Sequence, residues 1–145
     1  MLLADTNVLV YAANSGMPEH ERCRRLLDGW RAAPTPWCLT WGVLYEFLRV
    51  VTHRRVFQQP WRAEDAWRFV EVLLLSPSLH ILTETARHPA VVLQTIADVP
   101  LLSGNLLHDA HTAILMREHG IRRIYTRDTD FHRFPFLRVV DPLTA

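Results

Sequence analysis

The most constraining feature of this sequence is an alternation of two kinds of apolar segment. Short continuous apolar runs are typical of buried β-strands, and runs whose apolar residues recur at helical spacing are typical of amphipathic helices. The short runs end near Asp5 and cover residues 37–40, 79–83, 121–126 and 137–140. Strands that alternate with helices form a parallel sheet with helices on its faces. We therefore predict an α/β fold with a central parallel sheet.

Local signals place helices between these strands. Pro18, followed by two glutamates, indicates a helix with proline in its first turn. Gly120 indicates the end of a later helix. The predicted helices begin at Pro18, cover 43–51, 66–74 and 89–98, and run from Asp109 to His119. Residues 127–130 are expected to form a loop.

Length and composition indicate one domain over residues 1–145. The chain has 145 residues, and 49% of them are hydrophobic, which is enough for one compact core. No apolar run reaches the roughly 18 residues of a membrane span, and Asp5 comes too early for a secretory signal. We expect a soluble cytoplasmic protein with no membrane partner. Cys23 and Cys38 match no zinc-motif spacing and are expected in the core.

The charge balance gives little sign of a polyanion partner. Sixteen basic residues oppose 15 acidic ones, for a formal net charge of +1. Every basic residue is arginine, a bias that a genome rich in arginine codons explains. Each arginine side chain nevertheless carries a planar guanidinium group that can form two parallel hydrogen bonds to a phosphate or carboxylate group.

Acidic residues stand where predicted strands end. Asp5 follows the first strand, Asp128 and Asp130 follow the fourth, and Asp109 opens a helix. The carboxyl ends of parallel strands border one crevice, so we expect these side chains to converge there. Glu46, at the edge of an apolar helix face, can project into the same crevice. Taken singly, Asp109 can instead stabilise a helix N-terminus, and Asp128 can be a turn residue.

Several carboxylates in one cleft repel one another unless a cation binds them. Oxygen ligands without a matching cysteine or histidine cluster suit Mg²⁺ or Mn²⁺. A water bound to such an ion can attack phosphorus, so the pattern predicts phosphodiester hydrolysis. A phosphatase with Asp5 as nucleophile is less favoured, because the acid expected two residues on is Asn7. A module that only binds its partner is a further alternative.

Four segments carry a more specific signal. They are DTNVL at 5–9, YEFLRV at 45–50, HDAH at 108–111 and TRDTDF at 126–131. In this order, over essentially the whole chain, they resemble the PIN-domain ribonucleases, and more narrowly the VapC toxins of bacterial toxin–antitoxin modules. The resemblance implies a PIN-like three-layer α/β/α sandwich around the parallel sheet.

The resemblance also implies roles for individual residues. The catalytic, metal-binding quartet it implies consists of Asp5, Glu46, Asp109 and Asp128. Asp130 matches a second metal-binding acid of the last segment. Polar positions that support the acids or contact substrate are matched by Thr6, Asn7 and Thr126.

By the same resemblance, the protein is expected to be a Mg²⁺-dependent endoribonuclease toxin, with Mn²⁺ as a possible substitute ion. It is expected to cleave structured RNA (tRNA or rRNA), to form a homodimer, and to be neutralised by a VapB-type antitoxin.

His108 and His111 flank Asp109, but only one is expected to share its face. The basic helix face of Arg22, Arg24 and Arg25 is either solvated or bound to RNA or antitoxin. The same holds for the turn at 53–55. Trp30 is expected on a buried helix face, and some of the other four tryptophans are candidates for docking the antitoxin or a second subunit. These four are Trp37, Trp41, Trp61 and Trp67.

Overall fold

A computed structural model of residues 1–145 has a five-stranded sheet at its centre. The strands are β1 (Leu2–Ala4), β2 (Trp37–Thr40), β3 (Leu79–Leu82), β4 (Arg123–Tyr125) and β5 (Arg138–Val140). All pairs are parallel, and the spatial order is β3-β2-β1-β4-β5. The predicted parallel sheet is confirmed.

Six α-helices flank this sheet. They are α1 (Thr6–Ala13), α2 (His20–Ala32), α3 (Trp41–Val51), α4 (Ala63–Leu74), α5 (His88–Asp98) and α6 (Leu106–Glu118). The result is the predicted α/β/α sandwich. None of the helices is long and apolar enough to cross a membrane.

The core fills the space between the sheet and the helices. Every residue of β1 and β2 is buried, as expected for parallel strands covered on both faces. Leu9 and Phe47 bring the apolar faces of α1 and α3 against them, and both are fully buried. The two cysteines are free and buried, as predicted.

Three predicted boundaries are wrong. The second helix begins at His20, with Glu19 at its N-cap position, so Pro18 lies in the turn before it. Asp109 does not open α6, which begins at Leu106, but lies within its first turn. An acid is favourable anywhere in a first helical turn, so its presence does not fix the first residue. The expected loop at 127–130 leads into a short 3₁₀ helix, Thr129–Arg133.

The strand order determines where a site can form. From β1 the chain proceeds to β2 and β3 on one side, whereas β4 and β5 lie on the other side. This reversal opens a crevice beyond the carboxyl ends of β1 and β4, where open α/β sheets bind ligands. Asp5 follows β1 directly, and Asp128 lies just beyond β4.

Candidate active site

The acidic residues predicted from the sequence line one open cleft of about 740 Å³ at this end of the sheet. We call it the acidic cleft and define it by its five carboxylates, Asp5, Glu46, Asp109, Asp128 and Asp130. Four elements supply them: the end of β1, the helices α3 and α6, and the segment after β4. The structure thus brings together residues that lie more than a hundred positions apart in the sequence.

Asp5 is held at the junction of β1 and α1. Its backbone N–H donates to the carbonyl of Tyr125 at 3.0 Å, which continues the pairing of β1 with β4. Its Oδ1 accepts a hydrogen bond of 2.8 Å from the backbone N–H of Thr6, so the side chain also caps α1. A carboxylate at a helix N-terminus is favoured by the free N–H groups there.

The hydroxyl group of Thr126 connects two of the acids. It donates to Oδ2 of Asp5 at 2.7 Å and accepts from the backbone N–H of Asp128 at 3.0 Å. It also accepts from Nδ2 of Asn7 at 2.9 Å. Thr126 is almost fully buried, whereas Asp5, Asn7 and Asp128 are partly exposed at the cleft. The geometry of this network fixes the Asp5 carboxylate relative to the Asp128 backbone.

The other two polar residues next to Asp5 hold the walls of the cleft. Asn7 donates to Oδ2 of Asp5 at 3.2 Å, and its Oδ1 accepts from the backbone N–H of Arg127. The Thr6 hydroxyl donates to the carbonyl of Val43 at 3.0 Å, which ties α1 to α3. These bonds connect Asp5 to the segment after β4 and to the helix that carries Glu46.

Asp109, Asp128 and Asp130 form the tightest group of carboxylates. One oxygen from each lies within 4.8 Å of the other two. Oxygens that share one Mg²⁺ ion lie about 3 to 4 Å apart, given metal–oxygen distances near 2.1 Å. A small contraction of these side chains therefore suffices for them to share a divalent cation. The donor set contains only carboxylates, which suits a hard ion.

The electrostatics of the cleft also favour a cation. Burial raises the pKa of Asp109 to about 7, and the nearby Asp128, Asp5 and Asp130 carboxylates raise it as well. Burial likewise raises the pKa of Asp5, although its hydrogen bonds from Thr126 and Thr6 act in the opposite direction. Repulsion among these acids is relieved when a divalent ion binds.

Glu46 differs from the other acids of the cleft because a cation already pairs with it. Arg49, one helical turn later, donates to both of its carboxylate oxygens at 2.6 and 2.9 Å. The hydrogen bond from Arg49 lowers the pKa of Glu46 despite its partial burial. Glu46 lies outside the group of three closely spaced acids.

Both histidines next to Asp109 line the acidic cleft. The cleft meets the first turns of α6 rather than one stripe along the helix, and residues on several of its faces border it. Asn105 and Arg49 also line the cleft and were not predicted as site residues. The position of Arg49 one helical turn after Glu46 is the sequence signal that could have identified Arg49 as a site residue.

The predicted basic face of α2 is largely neutralised. Arg24 pairs with Glu21 and Asp28, and Arg25 pairs with Glu21, all within the helix. Arg22 donates to the carbonyl of Pro142. These contacts favour the solvated alternative for this face. The Arg54 and Arg55 side chains, by contrast, form no ion pair.

Two of the five tryptophans lie together at the surface. The rings of Trp41 and Trp67 stack with an interplanar angle of 13°, and each residue is 40% exposed. Tyr45, on the next turn of α3, is 67% exposed. Trp37 is buried, and Trp30 is only partly buried against it. The stacked pair is thus the most exposed candidate among the tryptophans for a docking contact.

Comparison with known proteins agrees with this fold. A sequence model of the PIN domain matches residues 2–137. Ribonuclease VapC43 of Mycobacterium tuberculosis is 39% identical over 143 residues, which are 99% of this chain and 96% of the relative. Ribonuclease VapC48 of the same species is 35% identical over 141 residues, 97% of both chains. The chain belongs to the PIN domain family and, within it, to the VapC ribonucleases.

Solved structures show the same fold at lower identity. VapC20 of Mycobacterium tuberculosis, described as a Sarcin-Ricin loop cleaving toxin, superposes with a TM-score of 0.65 at 22% identity, over 91% of this chain and 93% of that one. VapBC2 from Rickettsia felis, bound to a DNA fragment from their promoter, gives 0.68 at 18% identity over 96% of both chains.

Proposed function

We propose that residues 1–145 act as a single PIN domain, a Mg²⁺-dependent endoribonuclease toxin of a toxin–antitoxin module. The observation that carries this proposal is the meeting of Asp5, Asp109 and Asp128 where the strand order reverses. The relatives at 35 and 39% identity bear the name ribonuclease, which supports the same activity.

In this proposal the acids hold the cation and the polar residues orient them. Asp109, Asp128 and Asp130 are the first ligands, because their oxygens already lie within 4.8 Å of one another. Asp5 completes the site through the geometry that Thr126 and Asn7 impose on it. The ion, Mg²⁺ or alternatively Mn²⁺, supplies a Lewis acid at the scissile phosphate.

Glu46 is the fourth member of the proposed quartet. Its pairing with Arg49 places a guanidinium group at the wall of the acidic cleft. A guanidinium fork is suited to a phosphate oxygen. Arg49 would then hold the RNA backbone in place of Glu46, and the Glu46 carboxylate would be available to hold the cation with the other acids.

The proposed substrate is structured RNA, either tRNA or rRNA, in the cytoplasm. The neighbour VapC20, described as cleaving the Sarcin-Ricin loop, supports an RNA of this kind. Five of the 15 acidic residues line the cleft, so the remaining surface has an excess of arginine. Such an excess favours contact with a phosphate backbone and makes RNA binding sensitive to salt.

The proposed protein partners are a VapB-type antitoxin and a second copy of this chain. The solved VapBC2 assembly from Rickettsia felis supports the antitoxin. The exposed aromatic surface of Trp41, Tyr45 and Trp67 suits such a contact, because Trp and Tyr are enriched where partners dock.

Controlled expression in a bacterial host tests the toxin activity. The wild-type chain is expected to arrest growth, and Asp5→Asn or Asp109→Asn is expected to abolish the arrest while leaving circular dichroism unchanged. Asp65→Asn is the matched control, since Asp65 is an exposed acid on α4. Full toxicity of both cleft variants contradicts the proposal. Soluble, folded but harmless wild-type protein favours a module that only binds.

A further inference from the structure

A second group of possible metal ligands lies beside α6, outside the five carboxylates of the acidic cleft. Glu84 follows β3, His88 begins α5, and His111 lies in the middle of α6. One nitrogen or oxygen from each lies within 4.8 Å of the other two. We call these three residues the His–Glu cluster. It contains two imidazoles, so its chemistry differs from that of the carboxylate cleft.

Specific contacts order the side chains of this cluster. Nε2 of His111 lies 2.8 Å from Oε1 of Glu84. Nδ1 of His88 lies 2.7 Å from Oε2 of Glu118. The two imidazole rings are 6.0 Å apart between centroids and nearly perpendicular, at 85°. Glu84 and His88 come from the segment after β3 and the start of α5, and His111 comes from α6.

Glu118 is a buried residue that contacts His88 of the cluster without belonging to the cluster itself. Its side chain has no exposed surface, and its Oε1 accepts from both the backbone N–H and the hydroxyl group of Thr85, at 2.9 and 2.8 Å. Its Oε2 faces His88. A carboxylate that binds one ring nitrogen of a histidine fixes the proton there and leaves the other nitrogen for a metal.

We propose that Glu84, His88 and His111 form a binding site for a transition-metal ion of the Zn²⁺ type, with Glu118 orienting His88. Two imidazoles and one carboxylate are a ligand set that Zn²⁺ accepts, whereas Mg²⁺ prefers oxygen ligands only. Ligand atoms about 2.1 Å from a tetrahedral ion lie roughly 3.4 Å from one another. The 2.8 Å contact between Glu84 and His111 must therefore lengthen slightly, while the wider spacings in the cluster shorten. Glu84 and His111 are about half exposed, so their side chains have room to move.

Metal binding at this cluster joins three elements. It connects the segment after β3 and the start of α5 to the middle of α6. His111 also lines the acidic cleft, two residues after Asp109. The proposal therefore places a Zn²⁺-type ion against the wall of the cleft while the cleft itself binds a different class of ion. It stands or falls independently of the ribonuclease activity.

The direct test is a titration of the full chain with ZnCl₂, followed in long-range ¹H–¹⁵N spectra of the eight histidine rings. One equivalent is expected to shift the ring nitrogens of His88 and His111 and to leave the remote His20, His53 and His132 unchanged. His108 lines the cleft without joining the cluster, so it reports Zn²⁺ bound to the acids instead. Shifts confined to His108, or no histidine shift, overturn the proposal.

Variants provide a second readout, the Kd for Zn²⁺ from calorimetry. Glu84→Gln is expected to weaken binding about tenfold or more, and Glu118→Gln about 10- to 100-fold through His88. Glu84 is exposed, so its replacement leaves the fold intact. The matched control is Glu71→Gln, at an exposed position on α4. An equal Kd for Glu84→Gln and Glu71→Gln contradicts the proposal.

Discussion

The hydroxyl group of Thr126 donates a hydrogen bond of 2.7 Å to Oδ2 of Asp5, across the boundary between β4 and β1. The oxygen of this hydroxyl group also accepts from the backbone N–H of Asp128. One small side chain therefore sets the relative position of acids that belong to the two strands on either side of the chain reversal. The first prediction concerns this contact.

Thr126→Val is expected to disorganise the acidic cleft, because it replaces the hydroxyl group with a methyl group of similar size. Asp5 then loses a hydrogen bond that lowers its pKa. We expect the free energy of unfolding to fall by about 1 to 3 kcal/mol and the Mg²⁺ affinity to fall about 10- to 100-fold. Denaturant unfolding and calorimetry measure the two effects. Thr126→Ser, which keeps the hydroxyl group, serves as control, and equal losses in both variants would argue against this role.

Asn7→Asp is expected to lower stability in metal-free solution. It replaces an amide that donates to Asp5 and to Thr126 with another carboxylate in a cleft already rich in acids. We expect a loss of about 1 to 3 kcal/mol at neutral pH, in line with the loss of a buried donor. Saturating Mg²⁺ should recover part of it. Thermal unfolding with EDTA and with Mg²⁺ measures both. A variant as stable as wild type in EDTA would contradict the proposed repulsion.

The stability of the metal-free protein should depend on Asp109 in a defined pH window. Burial and nearby acids raise the pKa of Asp109 from an ordinary value of 3.8 to about 7. The folded protein holds this proton more tightly than the unfolded chain, so the contribution of Asp109 is full below pH 3.8 and falls as the pH rises to about 7.

Because Asp109 is partly exposed, we expect this loss to total only about 1 to 2 kcal/mol. Denaturant unfolding in EDTA at pH 5 and at pH 7.5 measures it. Asp109→Asn lacks the titrating group and should lose less stability over the same interval. The same pH dependence in the variant and the wild type would show that Asp109 does not titrate in this way.

Arg49→Gln is expected to strengthen Mg²⁺ binding and to weaken RNA binding. Arg49 now pairs with Glu46 through two hydrogen bonds, and its positive charge lies at the cleft wall. Its removal frees the carboxylate and reduces repulsion toward a cation, for which we expect about a three- to tenfold gain in affinity. Calorimetry and a filter-binding assay measure the two affinities. An unchanged or weaker affinity for Mg²⁺ would contradict the proposed competition between Arg49 and the ion for Glu46.

The location of the acidic cleft was predictable from the sequence, because it follows from topology. Asp5 and Asp128 come directly after strands that flank the chain reversal, and the carboxyl ends of parallel strands meet at one edge. The helical spacing placed Glu46 at the edge of an apolar face, and the resemblance to VapC toxins assigned it to the metal-binding quartet. Neither the sequence pattern nor the resemblance predicted the ion pair between Glu46 and Arg49, because this pair depends on the conformation of two long side chains on the surface.

The His–Glu cluster illustrates a different limit. Glu84 and His88 are one helical turn apart in sequence number, and His111 and Glu118 are two turns apart on α6. These spacings are common and carry little information. Only the packing of α5 against α6 brings the two pairs together. His108 lies in the first turn of α6 and His111 in the second, and both line the cleft.

We propose that the five acids hold a divalent ion that this protein needs for RNA cleavage. The most direct measurement is cleavage of purified total tRNA and rRNA by the isolated chain, with mapping of the new 5′ ends. Wild-type protein is predicted to cut at defined positions with Mg²⁺ or Mn²⁺, to lose the activity in EDTA, and to lose it in Asp128→Asn but not in Asp65→Asn. Cleavage that persists in EDTA, or that Asp128→Asn retains in full, would contradict the account.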